Sequence, residues 1–273
     1  MNKSKIIKNN LIQIFAITEK NLRLKLRFKV SLLISFLSPI ISILMPLIVL
    51  GEFFQFNVEF GPWSETNYLV FTFMAYIIFI LKQIIFEYPT QLNMEKFWKT
   101  IAGVVIAPFN RFNLLFGIFF AQLLISLFPL ILFTIICYIY YPISFLTLLF
   151  VILLYFLIAL IFSAIGLIIG VFAISNENIW RSLVYIVNII IWFSCITYPF
   201  EIFPPIFQGV INLNPFYYIF NILRLSWIED AVLLTISLHS FDFLILVLSA
   251  IILPIIGVYT FNKIYKKYGI VGY

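Results

Sequence analysis

The sequence is poor in charge, in cysteine and in histidine. Charged residues make up 10% of its 273 positions, whereas ordinary soluble domains contain about 25%. Its two cysteines, Cys137 and Cys195, lie inside apolar runs without neighbours at metal-ligand spacing, and its only histidine is His239. Two buried, unreactive thiols are therefore expected. The composition excludes an ordinary soluble domain and leaves almost no material for histidine-based metal or acid–base chemistry.

Several catalytic and energy-coupling motifs are also absent from the sequence. It contains no Gly-x-x-x-x-Gly-Lys-Ser/Thr loop for ATP, no His-Glu-x-x-His zinc motif and no Ser-His-Asp set. Buried carboxylates, the mark of a proton or ion relay, are not expected within the apolar runs. We therefore expect no catalytic residue, metal ligand or cofactor site in this chain. If the protein moves a solute against a gradient, another polypeptide must supply the energy.

Long apolar runs are abundant. Hydrophobic residues make up 64% of the chain, and a helix needs about 20 apolar residues to cross the bilayer core. Continuous runs favour helices over the alternating strands of a membrane barrel. We predict one all-α integral membrane domain over residues 1–273, with a cytoplasmic-face helix in 1–29, a membrane region in 30–261 and a cytoplasmic tail in 262–273. Six transmembrane helices are predicted, at Val30–Leu50, Tyr68–Phe86, Phe112–Tyr140, Phe145–Ile174, Leu183–Pro199 and Phe243–Phe261.

Basic residues fall almost entirely on one side of this arrangement. Residues 1–29 carry eight of them, and counting along the loops places 15 of the 17 basic residues on one membrane face. The positive-inside rule then places both termini in the cytoplasm. The segment 1–29 is basic and partly amphipathic, and is suited to lie along an anionic membrane surface. Because it adjoins a membrane helix, lipid headgroups are its expected partners and nucleic acid is not.

One cytoplasmic stretch, Met94–Gly117, mixes charge, aromatic residues and helix formers between two apolar runs. Apolar residues recur from Phe97 to Val105 at three- and four-residue spacing, which predicts a short amphipathic helix. Pro108 then ends it. We name residues 95–107 the coupling segment, because a push on a surface helix here would be transmitted to the next membrane helix.

The external stretch 198–230 is too apolar for a solvated loop and too interrupted by proline and glycine for one spanning helix. We predict two short half-helices that dip into the outer leaflet and turn at Asn214-Pro215, where protein must cover the irregular backbone. An interfacial loop with aromatic anchors is the alternative. Arg224 is the one basic residue of this stretch and is expected to pair with a carboxylate. The candidate partners are Glu201, Glu229 and Asp230.

The fourth predicted helix carries small residues at close-packing spacing, including the Gly-x-x-x-Gly pair Gly166 and Gly170. Such pairs let two helices approach closely. Packing within one chain and self-association of two chains both remain open on this evidence. The sequence shows no internal repeat, which disfavours a carrier built from repeated halves.

The stretch Lys99–Gly117 resembles the type-2 ATP-binding-cassette (ABC) exporter permeases. In that family a Gly-Thr leads the coupling helix, a proline closes it and an arginine begins the next membrane helix. Thr100, Pro108 and Arg111 match this pattern, and Lys99 stands where the family usually has glycine. The external stretch is similar to the re-entrant hairpin of the family through Phe203, Pro204, Pro205, Asn214, Pro215 and Arg224. The resemblance covers essentially the whole chain.

The resemblance implies a permease subunit that pairs with a second permease, identical or related, and docks on two cytoplasmic P-loop ATPases. ATP and Mg would bind in those ATPases and not in this chain. In this interpretation Phe97 and Trp98 are apolar anchors in a groove of the ATPase. The implied contact residues are Glu95, Lys96, Phe97, Trp98, Lys99, Thr100 and Ile101.

The resemblance also implies two gates. The N-terminal helix would brace the inner gate through Lys20, Arg23, Lys25 and Arg27. The hairpin would close the outer end through Glu201, Pro204, Pro205, Asn214, Pro215 and Arg224. The expected function is export of an amphiphile, namely a drug, a lipid or a lipid-linked glycan, across the cell membrane. The aromatic residues, 19% of the chain, either stack on sugars or only fill apolar space.

Two other classes of protein compete with this interpretation. A stand-alone channel or ion-coupled carrier would show buried ionisable residues or repeat symmetry. A membrane-embedded enzyme would need a polar cluster at one membrane face. The external residues that offer one are Glu201, Arg224, Glu229, Asp230, His239 and Asp242.

Overall fold

The computed structural model describes residues 3–56, 59–97, 111–175 and 177–268. The described residues are almost entirely helical, and their only β contact is an isolated bridge between Phe60 and Trp63. A short 3₁₀ turn at Phe200–Ile202 precedes the external helices. The α-helices, numbered α1 to α11 in chain order, are Lys3–Arg27, Lys29–Gln55, Tyr68–Lys82, Ile84–Phe97, Arg111–Tyr140, Phe145–Ser175, Glu177–Trp192, Pro205–Asn212, Pro215–Glu229, Val232–Leu238 and Ser240–Tyr268.

Five stretches in the described residues are helical, long and apolar enough to cross a membrane: Lys29–Phe54, Tyr68–Met94, Phe112–Tyr140, Phe145–Phe172 and Ser240–Lys263. They match five of the six predicted spans. The remaining prediction, Leu183–Pro199, was wrong in extent, because α7 ends at Trp192 and its apolar part, Ser182–Trp192, is shorter than a full span. The backbone after Trp192 is irregular, and Cys195 has a positive φ of 56°.

The second span is longer than the sequence pattern predicted. It was expected to end at Phe86, but α3 and α4 follow each other with only Gln83 between them, and the helical stretch continues to Phe97. The Gln83 amide donates to the carbonyl oxygen of Ser35 on α2, at 2.5 Å. Because α4 buries Ile84, Ile85 and Tyr88 against other helices, tertiary packing carries the helix past the end of the apolar run.

Close contact between α4 and α6 forms the centre of the bundle. A Cβ atom added at Gly166 would lie 2.6 Å from the carbonyl oxygen of Ile85, and one at Gly170 would lie 2.9 Å from Leu92 Cδ1. The Tyr88 hydroxyl, on α4, contacts Ser163 Oγ of α6 at 2.7 Å. The Gly-x-x-x-Gly face therefore packs against α4 of the same chain, which leaves no room there for a second copy.

Helix α9 also lies in the core, although it belongs to the external stretch. Phe216, Phe220 and Trp227 are buried, and the rings of Phe216 and Phe220 contact Phe162 of α6 at centroid distances of 6.0 Å. The Trp227 indole donates to the carbonyl oxygen of Tyr141 at 3.1 Å. This packing fixes the external half of α9 against the membrane helices.

Candidate functional site

The amphipathic N-terminal helix α1 lies in close contact with α5. A Cβ atom at Gly117 would lie 2.5 Å from Ile17 Cγ2, so the glycine is what lets the two helices approach this closely. The hydroxyl of Thr18, which is buried, lies 3.1 Å from the Gly117 carbonyl oxygen and 2.8 Å from that of Ile14. At the start of α5, the Asn113 amide donates to Gln13 Oε1 at 2.6 Å.

The same helix α1 is bonded to α4. Lys25 Nζ lies 2.5 Å from Glu87 Oε1, and the Gln91 amide donates to Asn21 Oδ1 at 2.5 Å. Together with the α5 contacts, these bonds connect α1 to the end of α4 and to the beginning of α5. We name these α1–α4–α5 contacts the cytoplasmic junction, after the membrane side that the positive-inside rule predicts for them. Residues 98–110 connect the two helices that the junction joins.

The coupling segment is described only at its first residues. Glu95, Lys96 and Phe97 form the last part of α4, and the rest of the predicted amphipathic helix lies outside the described residues. The helix continues because α4 is already packed in the bundle. Phe97 is 84% exposed, as an anchor awaiting a partner would be. The other predicted contact residues, Trp98, Lys99, Thr100 and Ile101, lie outside the described residues.

The four basic residues predicted for the N-terminal gate all lie on α1. Lys25 reaches Glu87 of α4. Arg23 pairs with Glu19 one turn away at 2.6 Å and is largely exposed. Lys20 and Arg27 are exposed, and the Arg27 guanidinium lies 6.0 Å from the ring centroid of Phe28. Amides and a hydroxyl therefore join the Lys25–Glu87 pair in holding α1 to the bundle.

The external stretch contains two helices, α8 and α9, with Leu213 and Asn214 between them. Pro205 begins α8 and Pro215 begins α9, because the fixed φ of proline suits the first helical position. Asn214 caps α9: its Oδ1 accepts from the Phe216 amide at 3.1 Å, while its Nδ2 donates to the Ile190 carbonyl oxygen at 2.6 Å. Two helices turning at Asn214-Pro215 are as expected, and their depth in the membrane stays a prediction.

Arg224 does not make the predicted ion pair. It is 3% exposed, and its guanidinium donates to the carbonyl oxygens of Cys195 (2.7 Å) and Ile196. Its Cζ lies 3.8 Å from the ring centroid of Phe71. The irregular chain after α7 leaves these two carbonyls without helical donors, and Arg224 satisfies them. Burial lowers the pKa of Arg224 to about 9, so the group stays charged at pH 7.

The carboxylates proposed as partners of Arg224 bind elsewhere among the described residues. Glu229 Oε1 lies 2.8 Å from His239 Nε2 and its Oε2 accepts from the Thr235 hydroxyl. Asp230 accepts from the Ser144 amide at 2.7 Å. Desolvation opposes ionisation of Asp230, but hydrogen bonds from Ser144 and Thr147 outweigh it and lower its pKa. The side chain of Glu201 lies against Gly61, whose φ is +60°.

A polar cavity of about 300 Å³ lies beneath the external hairpin. It collects four of the six residues predicted as an external cluster: Glu201, Arg224, Glu229 and His239. Asp242 is 8% exposed and accepts from the Asn221 amide at 2.7 Å. It lies one residue before the predicted run Phe243–Phe261 but within the longer helical span Ser240–Lys263, which therefore holds a buried carboxylate near its start. Asn221 satisfies that carboxylate locally.

The family model for ABC-2 type transporters matches residues 12–227 of the chain. The chain belongs to this family. It is a permease subunit of an ABC transporter and a multi-pass membrane protein. A search among curated proteins found no match.

The family match covers the permease from α1 to the buried part of α9. It includes the cytoplasmic junction, the coupling segment and Arg224, whereas α10 and α11 follow the matched region. Both predicted sites therefore lie in the part of the permease that defines its family.

Sequence reasoning missed the polar residues that build the cytoplasmic junction of this permease. A signal was present, because Gln13, Asn21 and Asn113 are uncharged polar residues at segment edges that are otherwise basic and apolar. The family resemblance drew attention to the cations of α1 instead. Charges at a membrane surface are easily solvated, whereas a buried amide needs a protein partner.

Removing the junction hydroxyl tests whether the bond between α1 and α5 holds the helix in place. Thr18→Val preserves the side-chain shape but loses the contact with the Gly117 carbonyl oxygen. We expect a loss of about 1 kcal/mol from this junction and faster trypsin cleavage of α1 at Lys20 and Arg23. Thr90→Val is the matched control, because the Thr90 hydroxyl donates only within its own helix, to Phe86, and is exposed. Equal cleavage rates in both variants would contradict the assignment.

Proposed function

We propose that this permease is the membrane subunit of an ATP-driven exporter, powered by two separate P-loop ATPases and completed by a second permease copy or a related permease. The basic face of the chain, with both termini, lies in the cytoplasm of the cell. The chain itself binds no cofactor in this proposal, and ATP and Mg bind in the ATPases. An amphiphilic substrate leaves the cytoplasm along the face that the two permeases share.

The observation that carries this proposal is the cytoplasmic junction. Residues 98–110 connect the end of α4 to the beginning of α5, and α1 is bonded to both helices through Gln91, Glu87 and Asn113. A displacement of the coupling segment by an ATPase therefore moves α4 and α5, and α1 follows them. This is the arrangement by which a soluble motor transmits force to a membrane helix.

Transmission from the cytoplasmic to the external face is supported by the packing of α6. This helix contacts α4 through Gly166 and Gly170 and contacts α9 through Phe162. A shift of α4 therefore reaches the helix that holds Arg224. In this proposal the external hairpin is the outer gate, and Arg224 keeps it closed by binding the chain after α7.

An amphiphile is the proposed cargo because the chain offers apolar surfaces and few fixed charges. A drug, a lipid and a lipid-linked glycan all fit this description. Within the described residues, the aromatic pairs such as Phe193 with Phe207 pack against each other, which favours filling over sugar stacking for those rings.

Co-purification tests the proposed partnership. The C-terminally tagged chain is extracted in mild detergent, and a P-loop ATPase is expected to accompany it. Phe97→Ala with Trp98→Ala should abolish the association, because truncating central aromatic anchors removes about 2–4 kcal/mol each from an interface. The matched control is Phe145→Ala with Trp192→Ala. These two residues are exposed at the ends of α6 and α7 that are predicted to face away from the cytoplasm.

The possible results distinguish an ATPase-driven exporter from a channel or ion-coupled carrier. An ATPase lost only in the Phe97/Trp98 variant supports both the motor and its docking segment. An ATPase retained by both variants contradicts docking at the coupling segment. A native chain that purifies without any ATPase contradicts the energised exporter and favours a channel or ion-coupled carrier.

A further inference from the structure

A second cavity, of about 180 Å³, lies between α1, α2, α4 and α5 beside the cytoplasmic junction. At one end stands the ion pair of Lys25 and Glu87. The pair is partly exposed, with the Lys25 side chain 41% accessible and the Glu87 side chain 17% accessible. Both signs of charge thus line the same cavity.

Two buried amide side chains, Asn21 and Gln122, line the cavity. Asn21 is 7% exposed, and its Nδ2 has no hydrogen-bond partner, although its Oδ1 accepts from Gln91. Gln122 is 6% exposed and makes no side-chain hydrogen bond to the described residues. Buried polar groups are almost always hydrogen-bonded, so the unpartnered Asn21 nitrogen beside this cavity indicates that a polar ligand belongs there.

Part of the cavity wall is apolar. It is formed by Leu32 of α2 with Ile118, Ala121 and Ile125 of α5. The volume is several times the roughly 30 Å³ share of one water molecule, which suits a compact polar group rather than a long chain. A ligand with a polar head and an apolar continuation along α2 and α5 matches both ends.

We propose that this cavity binds the headgroup of a zwitterionic phospholipid from the cytoplasmic leaflet. The primary ammonium of a phosphatidylethanolamine pairs with Glu87, its phosphate pairs with Lys25, and the amides of Asn21 and Gln122 donate to its phosphate and ester oxygens. An acyl chain continues along Leu32 and Ile118. A purely anionic headgroup fits less well, because Glu87 would repel it.

The bound lipid would connect α1 to α2, α4 and α5, and would therefore stabilise the cytoplasmic junction. The inference rests on the cytoplasmic orientation proposed above, and it is independent of export and of the ATPases. If no lipid binds the cavity, the co-purification result still stands. If no ATPase co-purifies, the lipid-binding result still stands.

Native mass spectrometry of the purified, delipidated chain tests the site. The chain is titrated with dioleoyl phosphatidylethanolamine and, separately, with the phosphatidylglycerol of the same chains. One ethanolamine lipid is expected to bind with at least about tenfold preference, the difference that a single favourable charge contact makes. Gln122→Leu should weaken that binding about tenfold through loss of its hydrogen bonds, and Gln208→Leu, outside the cavity, should not.

A second variant keeps the test decisive if Gln122→Leu fails to fold. Glu87→Gln removes the carboxylate that would hold the ammonium and that pairs with Lys25, which leaves Lys25 free for the phosphate, and it should reverse the preference in favour of the anionic lipid. Equal binding of the two lipids by the native chain would overturn the proposal. So would an unchanged preference in Glu87→Gln, or a retained ligand whose mass is not that of a phospholipid.

Discussion

Replacing Arg224 with methionine is expected to lower the free energy of unfolding by about 2–4 kcal/mol, because it orphans two buried carbonyl groups. The guanidinium donates to Cys195 and Ile196, and methionine fills a similar volume without a donor. The stacking of Arg224 on Phe71 is lost as well. Relief of a buried charge acts in the opposite direction, but two buried carbonyl groups lose their donors and the ring stacking is lost, so the lost contacts dominate.

SDS denaturation of the purified chain, followed by circular dichroism, measures this effect. Arg23→Met is the matched control, because Arg23 is largely exposed and pairs only with Glu19 on its own helix; such pairs contribute less than about 1 kcal/mol. The free energy of unfolding of Arg224→Lys should lie between those of the native chain and Arg224→Met, because an ammonium lacks the planar fork of donors that reaches both carbonyl oxygens. A midpoint for Arg224→Met equal to the native one would show that the carbonyls find other donors.

Substituting leucine at Gly166 is expected to prevent normal packing of α4 on α6, with a loss of about 3 kcal/mol or more from overpacking. The first added atom alone would lie 2.6 Å from the Ile85 carbonyl oxygen and 3.0 Å from Tyr88. The Ile85 carbonyl oxygen belongs to the backbone of α4 and cannot move aside as the end of a flexible side chain can. The Tyr88–Ser163 contact and the bond from Tyr88 to the Leu115 carbonyl oxygen would be displaced too.

The yield of monodisperse protein in size-exclusion chromatography and the SDS midpoint measure the effect at Gly166. Gly209→Leu controls for the general effect of adding leucine in a helix, because no atom lies within 4 Å of its added Cβ. Gly166→Ala should be milder than Gly166→Leu but still destabilising. A stable, monodisperse Gly166→Leu chain would mean that α4 does not rest on this face.

Much of the fold could be predicted from hydropathy, because apolar run length is a direct physical requirement for crossing a bilayer. Five spans followed from apolar run length. The turn at Asn214-Pro215 could be predicted from local residue types, because proline and an asparagine cap act within a few residues. The errors have tertiary causes. Helix α4 runs on to Phe97 because Tyr88 and Leu92 pack against α6, a contact that no local pattern announces.

The candidate sites show the same division. Phe97 could be predicted as an exposed aromatic from its place between two apolar runs, and it is exposed. The partners of Arg224 could not, because counting charges suggests carboxylates, whereas the actual acceptors are carbonyls. They lack helical donors because the chain leaves its helix at Trp192. Likewise Asn21 and Gln122 stand at unremarkable positions in the sequence and share a cavity only after four helices assemble.

The buried thiols have a practical consequence for watching this permease at work. Cys137 and Cys195 are both free and buried, and burial raises the pKa of the Cys195 thiol to about 12, although the charge of Arg224 lowers it. Maleimide reagents attack thiolates, so they should react only slowly with the two buried thiols of the native chain. Single cysteines introduced at the surface can carry fluorophores without prior removal of the natural ones. Arg224 binds the carbonyl oxygen of Cys195. Opening of the proposed outer gate would break this bond and expose the thiol, so the rate of Cys195 labelling would report that opening.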